Sequence, residues 1–155
     1  MPQLTLRADI AVRDAENRLQ LVVEVKSKVG ASPEWAAQLR RNLLAYTDIS
    51  QVPYFLLALP DFFYFWQNAG PADGNAPPDC IIAAADLLAP YLTPPTPSLA
   101  EMSEYGLELL VATWLSDLVV SDPEALMGRP ALSWLFSSGL YAAIRHGSVV
   151  TEVAV

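Results

Sequence analysis

The chain has 155 residues, of which 53% are hydrophobic and 17% charged, and its formal net charge at pH 7 is −8. This length and composition are typical of one globular domain with a buried core, and they exclude a disordered chain. No run of about 18 apolar residues is free of charge, so no membrane span is predicted. The single cysteine, Cys80, excludes an internal disulfide. Since the start lacks the pattern of a signal peptide, we expect a cytoplasmic protein.

The first half of the sequence predicts two β-hairpins with a helix between them. Alternating or β-branched apolar side chains predict four strands, at residues 4–13, 19–26, 53–59 and 62–66. Ser32 before Pro33 is a good N-cap for a helix that runs to about Tyr46. The aromatic side chains of the last strand are expected to lie in the core.

The second half is predicted to be mainly helical. Its segments are a loop at 67–79, a short helix within 81–92, helical sequence at 131–145 and a final strand at 148–155. Ser98 and Glu101 match a capping box that opens a long helix to about Val120. One domain is therefore expected, with an αβ core at 1–92, a proline-rich linker at 93–97 and a helical portion at 98–155.

The first hairpin carries side chains suited to metal chemistry. Glu24 and Lys26 are two residues apart, so both emerge on the same face of their strand. With a four-residue turn, residue numbers across the hairpin sum to 33, which places Asp9 opposite Glu24. Adjacent carboxylates oppose each other's ionisation unless a cation pairs with them, and Mg²⁺ prefers oxygen ligands. A divalent-metal site is therefore predicted, with the Val25 carbonyl as a further ligand. The alternative is a solvated sheet face with a cross-strand ion pair.

Asp9, then Glu24-Val25-Lys26 on the next strand, then a helix with Gln38, resembles the PD-(D/E)XK nuclease superfamily over roughly residues 4–66. The resemblance implies an α+β, restriction-endonuclease-like fold, in which helices flank a mixed sheet. It also implies hydrolysis of DNA phosphodiester bonds with Mg²⁺ or Mn²⁺, metal ligation by Asp9 and Glu24, and a catalytic role for Lys26. Gln38 would lie near the site, and Arg41 on the same helical face is a candidate phosphate contact.

The chain departs from the superfamily pattern ahead of the motif. Ala8 stands where the superfamily name has proline, and eight residues precede Asp9, where members usually have a helix and a strand. Either the core is shortened, or the C-terminal helices and final strand replace the missing elements, or a second chain supplies them. A shortened core would expose a sheet edge that another copy could cover, so a homo-oligomer such as a dimer is one expectation.

The distribution of charge limits where DNA could bind. Residues 1–48 hold seven basic and six acidic side chains, a balance of +1, whereas the remainder holds two basic and eleven acidic ones, a balance of −9. Because Lys and Arg neutralise phosphates, only the N-terminal third is expected to face DNA. A second hypothesis is a catalytically inactive binding or assembly module of the same fold. Its expected contact surface is an exposed aromatic or leucine patch on the helix at 99–120.

Overall fold

The computed structural model describes residues 7–46, 52–67, 76–93 and 98–154, and within these ranges six strands form one mixed sheet. The strands are β1 (Arg7–Arg13), β2 (Leu19–Val25), β3 (Tyr54–Ala58), β4 (Phe62–Gln67), β5 (Cys80–Ala83) and β6 (Ser148–Ala154). The α-helices in the same ranges are α1 (Pro33–Tyr46), α2 (Ala84–Leu88), α3 (Glu104–Val120), α4 (Pro123–Met127), α5 (Ser133–Ser137) and α6 (Leu140–Ile144). Shorter 3₁₀ turns occur at Ala89–Tyr91, Leu99–Glu101 and Pro130–Leu132. The expected α+β class is confirmed.

The sheet has the strand order β5-β4-β3-β2-β1-β6. Only β2 and β3 pair in parallel, and α1 connects them, because parallel neighbours need a long crossover. In the antiparallel β1–β2 hairpin, Ile10 pairs with Val23 and Val12 with Leu21, which confirms the predicted sum of 33. The register shifts by one residue only at Arg13, next to the turn.

Helices cover both faces of the sheet and bury two separate clusters. The first cluster contains alanine and leucine side chains of α1 with the side chains of Val22, Phe55, Leu57, Tyr64 and Trp66. The second joins α2 and the C-terminal helices to the opposite face, where the rings of Phe65 and Trp134 pack at an angle of 59° with their centroids 4.9 Å apart. The aromatic strand β4 contributes to both clusters by alternation, so the predicted place in the core is confirmed for residues 63–66, whereas Phe62 is 41% exposed.

The short helix predicted within 81–92 is confirmed as α2, but the strand β5 before it was not predicted, because it forms by pairing with β4. Ser98 opens only a 3₁₀ turn and makes no capping bond, and the helix begins after Ser103, whose hydroxyl accepts the Gly106 N–H at 3.0 Å. Helical sequence at 131–145 is divided by Gly139, whose φ is +82°. Residues 94–97 of the predicted linker, and residues 4–6 of the first predicted strand, lie outside the described residues.

The final strand, β6, lies beside β1 at one edge of the sheet. It pairs antiparallel with β1 along the strand, from Ala8 with Val153 to Arg13 with Ser148. The chain's own C-terminal part therefore provides the neighbour of β1, which agrees with the alternative in which the final strand covers this position. Self-association by another surface stays a prediction. No helix in the described ranges is both long and apolar enough to cross a membrane.

Candidate metal centre

Asp9, Glu24 and Lys26 converge at one end of the β1–β2 hairpin. Glu24 lies in register with Leu57 of β3, on the sheet face that α1 covers. The described ladder between β1 and β2 stops at the pair of Ile10 and Val23. Beyond that pair, the Val25 N–H donates to Oδ2 of Asp9 at 2.7 Å, so this carboxylate takes the place of a backbone acceptor. The predicted opposition of Asp9 and Glu24 thus brings two carboxyl groups to the same end of the hairpin.

Glu24 is a buried acid whose pKa is strongly raised. It is 6% exposed, and its Oε1 lies 3.7 Å from Nζ of Lys26, while Oε2 is buried without a hydrogen-bond partner. Burial, which has the largest effect, and the charge and hydrogen bonding of Asp9 together raise the pKa of Glu24 to about 8, although Lys26 acts to lower it. In the absence of a cation, Glu24 therefore holds a proton at neutral pH.

The position of Lys26 allows its ammonium group to reach solvent. Its backbone N–H donates to the Ala58 carbonyl at 3.2 Å, as the last rung of the parallel ladder, and its side chain is 40% exposed. A strand residue directs its N–H and C=O to the same neighbour, so the carbonyl of Val25 faces the β1 side, as its N–H does. Two carboxyl groups, one carbonyl and one ammonium are thus available at this end of the sheet.

This donor set fits a hard cation such as Mg²⁺. The buried Oε2 of Glu24 lacks a partner, and a second carboxyl group lies beside it. In the described part of the chain, no three His, Cys, Asp or Glu side chains gather as ligands. Mg²⁺ is commonly held by one or two carboxylates, with water and substrate phosphate as its other ligands. The pair therefore suits a cation that keeps most of its water, and it does not suit a closed structural site.

Gln38 and Arg41, the two site residues predicted on α1, occupy exposed positions. Nε2 of Gln38 donates to Oδ1 of Asn42 on the same helix, at 3.5 Å. This bond directs the amide along the helix surface, and the roles of both residues stay predictions. The helix itself begins as expected, because the Ser32 hydroxyl accepts the Trp35 N–H at 3.1 Å.

Three side chains, none of them predicted to lie near the site, hold the connection between β2 and α1. Oε1 of Glu104 accepts the N–H of Ser27 at 3.1 Å, and Oδ2 of Asp61 accepts the N–H of Gly30 at 2.9 Å. The hydroxyl of Tyr64 donates to the carbonyl of Ala31 at 2.9 Å. These partners lie 31 to 77 residues away in sequence, so no local pattern identifies them.

The chain matches no protein-family model, no curated protein and no solved structure. The fold alone does not determine a function, because one fold supports many activities. The functional argument therefore rests on the residues at the end of the hairpin.

Proposed function

We propose that this protein is a Mg²⁺-dependent nuclease that hydrolyses DNA phosphodiester bonds at the site formed by Asp9, Glu24 and Lys26. The observation that carries the proposal is the buried carboxyl group of Glu24, one oxygen of which accepts no hydrogen bond from a donor and which lies beside the carboxyl group of Asp9 and the ammonium group of Lys26. Burying such a group is costly unless a ligand or a proton compensates it. A bound divalent cation would supply that compensation.

Each residue has a separate task in this proposal. Asp9, Glu24 and the carbonyl of Val25 would hold the cation, and Glu24 would lose its proton to solvent in order to act as a ligand. When bound, Mg²⁺ polarises the phosphodiester and lowers the pKa of a coordinated water. The ammonium group of Lys26 orients the attacking water or neutralises charge that develops on the phosphate. Gln38 and Arg41 line the approach, with Arg41 in contact with a phosphate.

The raised pKa of Glu24 makes the proposal dependent on pH. Metal ligands must be deprotonated, so the cation and the proton compete for this carboxyl group. Since the pKa is about 8 without a cation, Mg²⁺ affinity is expected to rise as the pH increases from 6 towards about 8. Mg²⁺ affinity that is constant across this range would contradict the assignment of Glu24 as a ligand.

The test of the proposal is plasmid cleavage with Mg²⁺ or Mn²⁺. We expect Lys26→Ala and Glu24→Gln each to lower kcat by about 10²- to 10⁴-fold, since each removes a group that acts on the reacting atoms or the cation. Lys28→Ala, which removes an exposed cation two residues further on, and Glu124→Gln, which neutralises an exposed acid on α4, are the matched controls. Cleavage that survives both site substitutions would exclude this mechanism.

An inactive binding or assembly module is the second candidate, and one observation favours it. The helix α3 exposes Tyr105 by 63% and Leu109 by 47%, which is the kind of apolar surface expected of a contact site. This candidate predicts that calorimetry detects no Mg²⁺ binding and that Tyr105→Ser lowers the molecular mass measured in solution. The nuclease proposal predicts Mg²⁺ binding in any oligomeric state of the protein.

A further inference from the structure

Glu104 connects the C-terminal helices to the candidate metal centre. It is the first residue of α3, and its Oε1 accepts the N–H of Ser27 at 3.1 Å. Ser27 follows Lys26 directly, at the point where β2 has ended and the chain has no regular structure. A bond across 77 residues thus fixes the backbone beside the one ammonium group assigned to the site.

Three successive backbone N–H groups around Lys26 each donate a hydrogen bond to a different part of the chain. Val25 donates to the carboxylate of Asp9 at 2.7 Å, Lys26 to the carbonyl of Ala58 at 3.2 Å, and Ser27 to Glu104 at 3.1 Å. Two of the three acceptors are carboxylates, and hydrogen bonds to charged acceptors are stronger than those to neutral ones. Without Glu104, the next described bonds on the C-terminal side of Ser27 would be those of Gly30 with Asp61 and of Ala31 with Tyr64, three and four residues further on.

We propose that Glu104 is a positioning residue, which acts through the N–H of Ser27 to fix the Lys26 backbone and so direct its ammonium group at the metal centre. This inference rests on the proposed function for its catalytic consequence. The ordering of the Lys26 and Ser27 backbone by Glu104 is expected whether or not catalysis occurs. Lys26 has a long, flexible side chain, so its placement depends on a fixed backbone. Outer-shell partners of this kind typically change activity by about 10- to 100-fold when removed.

Three variants separate positioning from general stability and from charge: Glu104→Ala, Glu104→Gln and Glu101→Ala. Alanine removes the acceptor, glutamine keeps an acceptor oxygen without the charge, and Glu101→Ala removes an exposed acid three residues earlier. Backbone ¹⁵N relaxation is measured on the full chain of each variant. We expect Glu104→Ala to lower the order parameters of Lys26 and Ser27 from about 0.85 towards about 0.6, and the other two variants to keep them near the wild-type value.

Kinetics provide the second measurement. In plasmid cleavage, Glu104→Ala should lower kcat by about 10- to 100-fold with little change in KM, and Glu104→Gln should restore most of the loss. Unchanged order parameters at Lys26 and Ser27 in Glu104→Ala would overturn the inference, as would equal losses of kcat in the alanine and glutamine variants. If wild-type protein neither binds Mg²⁺ nor cleaves DNA, the nuclease proposal fails. The relaxation measurements then still decide whether Glu104 orders the strand end.

Discussion

Replacing Glu24 by glutamine should remove a large part of the pH dependence of stability. The folded protein keeps a proton on Glu24 up to about pH 8, whereas the unfolded chain releases it near the ordinary value of 4.5. Between these values the folded state binds more protons, so the free energy of unfolding falls as the pH rises. The cause is mainly burial, with a further contribution from Asp9. Glutamine is neutral at every pH and cannot contribute this decrease.

The size of the effect follows from the pKa difference. Each unit of difference corresponds to about 1.4 kcal/mol, so wild type should lose about 3 kcal/mol between pH 5 and pH 8 relative to Glu24→Gln. This is a large fraction of the roughly 5–15 kcal/mol that stabilises a typical domain. Mg²⁺ at ten times its Kd would return about 1.4 kcal/mol to wild type at pH 8, and much less to the variant, which lacks the charged ligand.

Urea denaturation at pH 5, 6.5 and 8, with and without Mg²⁺, measures both effects. The difference between wild type and Glu24→Gln cancels the titration of other groups, and Glu124→Gln is the control for removal of an exposed acid. If wild type and Glu24→Gln lose the same free energy of unfolding between pH 5 and pH 8, Glu24 is not the perturbed group. If wild type shows the expected pH dependence but no stabilisation by Mg²⁺, the pKa of Glu24 is raised but Glu24 does not bind the cation.

Three further substitutions test the surroundings of the site and the corrected helix boundary. Asp9→Asn should lower the pKa of Glu24 from about 8 only partway towards 4.5, because burial remains, and a ¹³C titration of the carboxyl group would detect the shift. Ser103→Ala should cost about 1 kcal/mol in urea denaturation and Ser98→Ala almost nothing, since only Ser103 caps a helix; equal losses would refute the assigned boundary. Gly147→Ala should prevent native pairing of β6 with β1, because its Cβ would lie 1.9 Å from a backbone carbonyl of β1, and a native far-UV spectrum with unchanged stability would contradict this.

The geometry of the candidate metal centre was predictable because it depends on local rules. The alternation of a strand and the length of one turn suffice to place Asp9 opposite Glu24, and the observed register has the predicted sum. The start of α1 at Ser32 is equally local, since a hydroxyl and an N–H three residues later determine it. These features need no knowledge of the rest of the chain.

Features that depend on distant partners were not predictable in the same way. The strand β5 is four residues long and exists because it pairs with β4. Ser98 matches a capping box by sequence, but Met102 adopts an extended conformation, with ψ at 144°, and ends the first turn, so the α-helix begins only after Ser103. The pKa of Glu24 depends on burial beneath α1, and the role of Glu104 depends on a contact across 77 residues. In each case tertiary packing overrides or supplements the local pattern.

The pairing of β6 with β1 predicts what happens when β6 is removed. A chain that ends at Gly147 would leave the N–H and C=O groups along the outer side of β1 unpaired, and such an edge pairs readily with another chain. We therefore expect the truncated chain to form dimers or larger species in size-exclusion chromatography with light scattering, at concentrations at which the molecular mass of the full chain does not increase. Val150→Lys in the full chain is the control, because Val150 is 41% exposed and the substitution keeps the backbone pairing. A truncated chain that stays a folded monomer would show that the β1 edge needs no cover.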